Sequence, residues 1–339
     1  MESVISPTGG LLALYTTGQN LRIARSLDGG STWAQQRGIE GWTAPNFGAS
    51  MSEIAVYNNG SDSLNDDIGV VVGGYQNGGP LEPYILYTLD GGSTCWLEAD
   101  LSGITWPTSQ ARQLRSVAYN QNASSPAGLV FVATTDRGEI IRSTDSGATW
   151  SLVANPTSRP LESVSMATAD VAIFGGGNPT VGDLLISFDL SAATPTITDA
   201  SPMGTTPARI NSVHTNQYRA FAAGDGGELW EYNGAGQFTL VGGLPSYAAG
   251  LDLTSVRLAP GPGPVQLMVG GVSGLLMEYD GSSFERHHSG VSNDVNDIAM
   301  DGDGGFHFLT VTDRVLHALG TSEVLFGPGS QPTFMYSTF

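Results

Sequence analysis

Three short segments of this chain repeat one pattern. They are Ser26-Leu27-Asp28-Gly29-Gly30-Ser31-Thr32-Trp33, Thr88-Leu89-Asp90-Gly91-Gly92-Ser93-Thr94-Cys95-Trp96 and Ser143-Thr144-Asp145-Ser146-Gly147-Ala148-Thr149-Trp150. Each reads S/T-x-D-x-G-x-T-W, with one extra residue, Cys95, before the Trp of the second copy. An Asp side chain accepts hydrogen bonds from backbone N–H groups just ahead of it and closes an Asx-turn. The Gly that follows supplies φ > 0 at little steric cost. The Thr hydroxyl closes the turn from the other side, and the Trp opens the next strand with a large apolar surface to bury. Apolar runs precede each segment (Leu21 to Ala24, Tyr84 to Tyr87, Glu139 to Ile141), so each predicts a β-hairpin. Turn chemistry accounts for every residue. Asp28, Asp90 and Asp145 therefore read as structural groups, and Trp33, Trp96 and Trp150 as their core anchors.

A second signal extends the repeat beyond these copies. Ser3-Val4, Glu53-Ile54, Ser116-Val117, Ser163-Val164, Ser212-Val213, Ser255-Val256 and Asp297-Ile298 each set a polar residue before a β-branched one. A short apolar run, a Gly-bearing turn and another strand follow each pair. In later units the hairpin motif decays: Ser187-Phe188-Asp189 keeps the Asp, while Asn233-Gly234 and Asp280-Gly281 keep a tight-turn dipeptide. Near His317 to Thr321 only Gly320 is left. Unit spacing of roughly 40 to 60 residues is that of four-stranded propeller blades.

The S/T-x-D-x-G-x-T-W hairpin resembles the Asp-box, or BNR repeat, of the sialidase-like β-propeller superfamily. With seven units, the resemblance implies an all-β chain forming a single seven-bladed β-propeller of four-stranded antiparallel blades. Blade limits fall roughly at 1–47, 48–110, 111–158, 159–206, 207–249, 250–291 and 292–339. Six- and eight-bladed rings are the alternatives. The chain is expected to start on an inner strand and end on an outer one, with no strand exchange between its ends. The aromatic stretch Pro332 to Phe339 is expected to pack on the rest.

Composition excludes several functions. The formal charge is −19, and all 13 basic side chains are Arg. That balance opposes nucleic acid and anionic membrane surfaces, which demand dense positive charge. A single Cys excludes an internal disulfide and a Cys-based metal cluster, and Cys95 is expected to be a small buried side chain beside Trp96. The N-terminus shows no basic and apolar leader, and no apolar run is long enough to span a membrane.

Function is expected on the face made by the outer-to-inner and second-to-third strand loops, since loops on a rigid scaffold host ligands. There the candidates for ligand or partner binding are Trp42, Tyr75, Trp106, Arg137, Tyr247, Arg286 and His287. Exposed Trp and Tyr suit sugar rings and protein hot spots alike. The alternative for Trp42 and Trp106 is to wedge between blades. His287 and His288 point to opposite faces if they share a strand, which disfavours a metal. Asp301-Gly302-Asp303-Gly304-Gly305 begins like a calcium loop but has Thr312 where a carboxylate is required. The acidic insertion Asp62, Asp66 and Asp67 is expected to be a solvated loop. No cofactor or metal is expected.

Three functions remain. The sialidase resemblance implies an arginine cluster, an acid-base Asp, and a Tyr/Glu pair. Here Arg22-Ile23 stands directly before the first box without the family's Pro, and Arg115, Arg209 and Arg257 sit at unequal offsets from their repeats. Glycoside hydrolysis or glycan binding is thus an alternative. Single seven-bladed rings that assist photosystem II assembly are a second alternative, although those are exported. The leading expectation is a non-catalytic interaction or structural propeller in a larger assembly, most simply a phage tail or adhesion component of a virion. Its partners would be other assembly proteins or surface glycans, reached without a Sec signal after cytoplasmic synthesis.

Overall fold

Alternating apolar strands cannot bury both faces alone, and stacking them radially solves that problem. The computed structural model describes residues 51–58, 67–76, 79–202, 205–287, 289 and 292–299 with their side chains. It also describes the strand backbones at 11–17, 20–26, 34–35, 50, 300, 306–310, 315–318, 321–324 and 330–335. Among the described residues the chain forms seven four-stranded antiparallel sheets arranged as the blades of a propeller.

The first blade contains β1 (Leu11–Thr17), β2 (Asn20–Ser26) and β3 (Ala34–Gln35). The second contains β4 (Ser50–Tyr57), β5 (Ile68–Tyr75), β6 (Glu82–Thr88) and β7 (Leu97–Glu98). The third is β8 (Leu114–Tyr119), β9 (Phe131–Thr135), β10 (Ile140–Ser143) and β11 (Ser151–Ala154). The fourth is β12 (Leu161–Met166), β13 (Ala172–Asn178), β14 (Val181–Ser187) and β15 (Thr198–Asp199). β16 (Ile210–Thr215), β17 (Ala220–Gly224), β18 (Leu229–Tyr232) and β19 (Phe238–Leu240) make the fifth. The sixth has β20 (Leu253–Leu258), β21 (Leu267–Gly271), β22 (Leu276–Tyr279) and β23 (Phe284–Arg286). The seventh has β24 (Val295–Met300), β25 (Phe306–Thr310), β26 (Val315–Ala318) and β27 (Thr321–Val324).

Closure differs from the sequence expectation. The last strand, β28 (Ser330–Met335), does not end on an outer edge; it pairs antiparallel with β1 and completes the first blade in the order β28-β1-β2-β3. The inner strands β28, β4, β8, β12, β16, β20 and β24 then pack on one another in cyclic order. Hydrogen bonding between strands far apart in sequence thus ties the ring. Pro332 obscures this strand in the sequence, because Pro donates no ladder hydrogen bond. The register shifts between Leu14 and Tyr15, opposite Pro332, and that irregularity accommodates it. Ser3-Val4 lies outside the described residues.

The core is a set of slabs between consecutive blades. Ile54, Val70, Leu86, Trp96, Val117, Phe131 and Trp150 belong to the slab between the second and third blades. Blades approach closely where the second strand carries Gly. A Cβ on Gly175 of β13 would stand 2.6 Å from Ile210 and Val213 of the next inner strand.

The hairpin turns have the expected internal bonding. In the third blade the Ser143 hydroxyl donates to Asp145 (2.8 Å), and Thr149 donates to Asp145 from its N–H (2.9 Å) and its hydroxyl (2.6 Å). In the second blade Thr88 donates to Asp90 at 2.8 Å, and both the N–H and the hydroxyl of Thr94 donate to Asp90. Asp189 keeps the arrangement in the fourth blade, accepting from Ser187 (3.1 Å) and from the Thr196 N–H (2.8 Å). Gly147 has φ 89°, and a Cβ there would meet Val70 of the preceding blade at 2.5 Å, so the turn also requires Gly for packing. Trp96 and Trp150 are buried. Asp28 and Trp33 lie outside the described residues. Cys95 departs from expectation: it is half-buried, because it is the extra residue that bulges from the second turn. Asp67 departs too, being fully buried at the start of β5, where its carbonyl accepts the Gly91 N–H at 2.7 Å. Asp62, Asp66 and the 301–305 loop lie outside the described residues.

Candidate functional site

The repeated polar–β-branched pair has a physical role. Each of the six inner strands from β4 to β24 carries a register shift just before the pair, between Met51/Glu53, Leu114/Ser116, Leu161/Ser163, Ile210/Ser212, Leu253/Ser255 and Val295/Asp297. An inner strand has a ladder neighbour on one side only, so alternate N–H groups face away from it and need partners elsewhere. The preceding blade supplies the partner. The Val117 N–H donates to Glu53 (2.8 Å), Val164 to Ser116 (3.0 Å), Val213 to Ser163 (3.1 Å) and Val256 to Ser212 (3.2 Å). Further along the strands Thr215 donates to Ser165 (3.1 Å) and Leu258 to the His214 Nδ1 (3.3 Å). These belts link neighbouring inner strands and direct polar side chains to the axis.

Inside the belts lies a cavity of about 320 Å³. Its wall carries Glu53, Ser163, Ser212, Arg257 and Asp297, all half-buried, together with buried His214. The accessible surface of these inner-strand groups faces the axis, deep in the ring. Its rim is formed by first-to-second strand connections: Gln121, Asn216 to Tyr218, and Pro260 to Gly261. In an antiparallel blade those connections share an end with the third-to-fourth strand hairpins, so the cavity meets solvent on the box face. The rim is braced by Gln121 donating to the Thr215 carbonyl (2.8 Å) and Asn216 donating to that of Ala259 (2.9 Å). Tyr218 stands 59% exposed at its edge.

The axial acids titrate unusually. Burial pushes the Glu53 carboxyl up to about 8, and the charge of Asp297 adds to the rise against hydrogen bonds from Ser116 and Val117. Burial also raises Asp297, opposed by the charge of Arg257 and by bonds from Ile298 and Ser255. His214 is held well below 6.5, first by burial and then by Arg257, so its Nδ1 is free to accept. Among the described residues no group of three or more His, Cys, Asp or Glu is placed to hold a metal.

The residues selected from sequence fall in two other places. Tyr75 closes β5 and packs on Tyr84, ring centres 5.7 Å apart. Trp106 is half-buried with the Arg112 guanidinium 4.4 Å over its ring, and Arg112 in turn meets Glu139 at 3.4 Å. Arg137 is exposed and donates to the Ala111 carbonyl at 3.2 Å. These three lie where the second and third blades meet. Tyr247 and Arg286 form a separate pair, the guanidinium 5.1 Å over the ring, and the neighbouring His287 contacts Glu278 at 3.1 Å. Trp42 and His288 lie outside the described residues. The arginines of the sialidase comparison are dispersed: Arg115 meets Glu162 at 3.7 Å, Arg209 meets Asp225 at 3.4 Å, and only Arg257 lines the cavity.

The sequence hides the axial acids because Glu53 and Asp297 stand at the repeat position that Ser fills in the other pairs. The usable signal was the departure itself. Four of the six pairs from 53 to 298 open with Ser, and the two exceptions are carboxylates on the blades that flank the first.

No protein-family model matches the sequence, and a search of curated proteins finds no relative. Among solved structures the chain is similar to YCF48 bound to a D1 peptide, with a TM-score of 0.58 at 14% identity over 91% of each chain. It is similar to YCF48 from Cyanidioschyzon merolae, with a TM-score of 0.61 at 16% identity over 98% of this chain and 94% of that one. It also resembles a chain of a mitotic checkpoint complex, with a TM-score of 0.59 at 13% identity over 91% of this chain and 83% of that one. At these identities the likeness establishes the fold, a β-propeller.

Proposed function

We propose that this chain is a non-catalytic interaction propeller that holds a segment of a protein partner at the axial mouth on the box face. The observation that carries this reading is the cavity of about 320 Å³ on the ring axis, with exposed Tyr218 at its edge. A concave site with a few convergent polar groups and perturbed acids is the default binding site of a fold. An aromatic at its rim supplies contact area at small entropic cost. Support of a weaker kind comes from YCF48, solved bound to a D1 peptide. A ring of this fold can therefore serve as a peptide receptor, and assembly-factor-like work is favoured over a virion role, for which fold and context were the only argument. The turn geometry at Asp90 and Asp145 supports reading the ring as one of the Asp-box kind. Arg115 and Arg209 pair with Glu162 and Asp225, and of the three arginines Arg257 alone lines the cavity, which argues against sialidase chemistry.

The test is selection from a displayed library of random dodecapeptides, followed by affinity measurement on variants. Enriched peptides are expected to lose at least about 10-fold in affinity on Tyr218→Ala, as for a central aromatic contact. Loss on Trp106→Ala or Tyr247→Ala instead would move the site to the opposite face. Hydrolysis of a fluorogenic sialoside or a positive glycan array would overturn the non-catalytic protein-binding reading.

A further inference from the structure

We propose that the axial cavity receives the guanidinium of an arginine side chain projecting from a protein partner. The inference rests on the interaction reading above and specifies the chemistry of that site.

Charge balance inside the cavity is the first ground. Among the described residues its wall carries two carboxylates, Glu53 and Asp297, against one guanidinium, Arg257. His214 adds no charge, since burial keeps it neutral. Arg257 acts on Asp297 and His214. Glu53, on the other side of the first blade, receives neutral hydrogen bonds from Val117 and Ser116 and feels the like charge of Asp297. A cation placed between the two acids favours their ionised forms. Glu53, raised to about 8, holds its proton near neutral pH, so an arriving cation acts by favouring loss of that proton and its binding strengthens as pH rises towards 8.

Geometry chooses the guanidinium over other cations. A cavity of about 320 Å³ stands at the lower end for small-molecule pockets, suited to one side chain rather than a sugar chain or a helix. A guanidinium presents five donors in a planar fork and is more weakly hydrated than an ammonium. The wall offers matching acceptors, carboxylate oxygens at Glu53 and Asp297 and hydroxyls at Ser163 and Ser212. Tyr218 stands at the mouth, where an arginine stem would pass and an aromatic face would cover its methylenes. The formal charge of −19 favours approach of a basic segment from solution.

The probe is the peptide acetyl-Gly-Arg-Gly-amide, titrated calorimetrically against the full chain, beside the isosteric citrulline peptide. The arginine peptide is expected to bind at least about 10-fold more tightly than the citrulline one, a 1.4 kcal/mol difference. Glu53→Gln keeps an oxygen for the Val117 N–H, and it is expected to lose about 10-fold in affinity for the arginine peptide while leaving the citrulline peptide unchanged. Asp297→Asn is the second variant, with the same expectation, and urea unfolding establishes that each is folded. Equal affinity for the two peptides, or full affinity in both folded variants, overturns the proposal, as does no binding to about 10 mM. Selected dodecapeptides that bind through Tyr218 yet tolerate arginine-to-citrulline replacement would sink this inference alone and leave the interaction reading standing. Failure of every peptide to depend on Tyr218 would sink that reading instead.

Discussion

Asp145 at a hairpin tip and Glu53 on the ring axis are both carboxylates, and the fold moves their acidities in opposite directions. Asp145 is held below its ordinary value: partial burial opposes ionisation, but hydrogen bonds from Thr149 and Ser143 outweigh it. Glu53 is raised to about 8, because burial outweighs the bonds from Ser116 and Val117. The first arrangement stabilises the fold with the charge in place, and the second keeps an acid where its charge costs stability. A group maintained at such a cost, facing a cavity, is a better functional candidate than one whose every bond closes its own turn.

The sharpest way to break this contrast is a stability profile against pH. Glu53 has a folded pKa above its unfolded value of 4.5, so its contribution is complete below about 4.5 and is lost as pH rises through about 8. At about 1.36 kcal/mol for each pKa unit, the loss over that window is on the order of 5 kcal/mol. Urea unfolding of the wild type is therefore expected to show falling stability between pH 5 and pH 9. Glu53→Gln should flatten that limb. An unchanged limb in the variant would show that the axis acid does not differ from the turn acids in the way described.

Legibility in the sequence followed the same divide. The box residues were readable because turn chemistry is local: Gly92 donates to Thr88 and Thr94 to Asp90 within one hairpin, and their spacing alone specifies their bonds. Inner strands were readable from the polar–β-branched pairs, although the reason for those pairs was not. Their polar side chains accept N–H groups 44 to 64 residues away, on the next blade, and no local pattern encodes that partner. β28 was missed because its partner β1 is distant in sequence and Pro332 masks the alternation. The candidate site is the least local feature. Aromatic loop residues such as Trp106 and Tyr247 stand out by type, and each has a neighbouring guanidinium over its ring. The cavity is made by convergence of strands β4 to β24 around the axis, which only the closed ring produces.

A smaller effect tests the other side of the contrast. Asp145→Ala removes the acceptor for the Ser143 hydroxyl and for the Thr149 N–H and hydroxyl, and a cost of about 1–2 kcal/mol is expected. The sign of its pH dependence is opposite to that of Glu53. With a depressed folded pKa, Asp145 contributes above its unfolded value of 3.8, and the contribution is lost as pH falls through the folded one. Wild type and Asp145→Ala should therefore converge in stability on the acid side. A constant gap down to pH 2 would mean that the turn is held by something other than the ionised carboxylate.

The smallest effect compares the two box Trp side chains. The Trp150 Nε1 donates to the Gly147 carbonyl at 2.9 Å. In the second box Cys95 adds one residue between Asp90 and Trp96, and the buried Trp96 Nε1 has no hydrogen-bond acceptor among the described residues. Both rings are buried to a similar degree, so Trp→Phe removes comparable apolar area at the two sites. What differs is the N–H. Trp150→Phe breaks a bond and leaves a buried carbonyl with one partner fewer, whereas Trp96→Phe deletes a donor that the turn does not satisfy. Trp150→Phe is expected to cost about 1 kcal/mol more than Trp96→Phe, read from urea midpoints at constant slope. Equal losses would mean that the inserted residue leaves the two turns energetically alike, and that the Asp side chain rather than the Trp anchor sets the strength of a box.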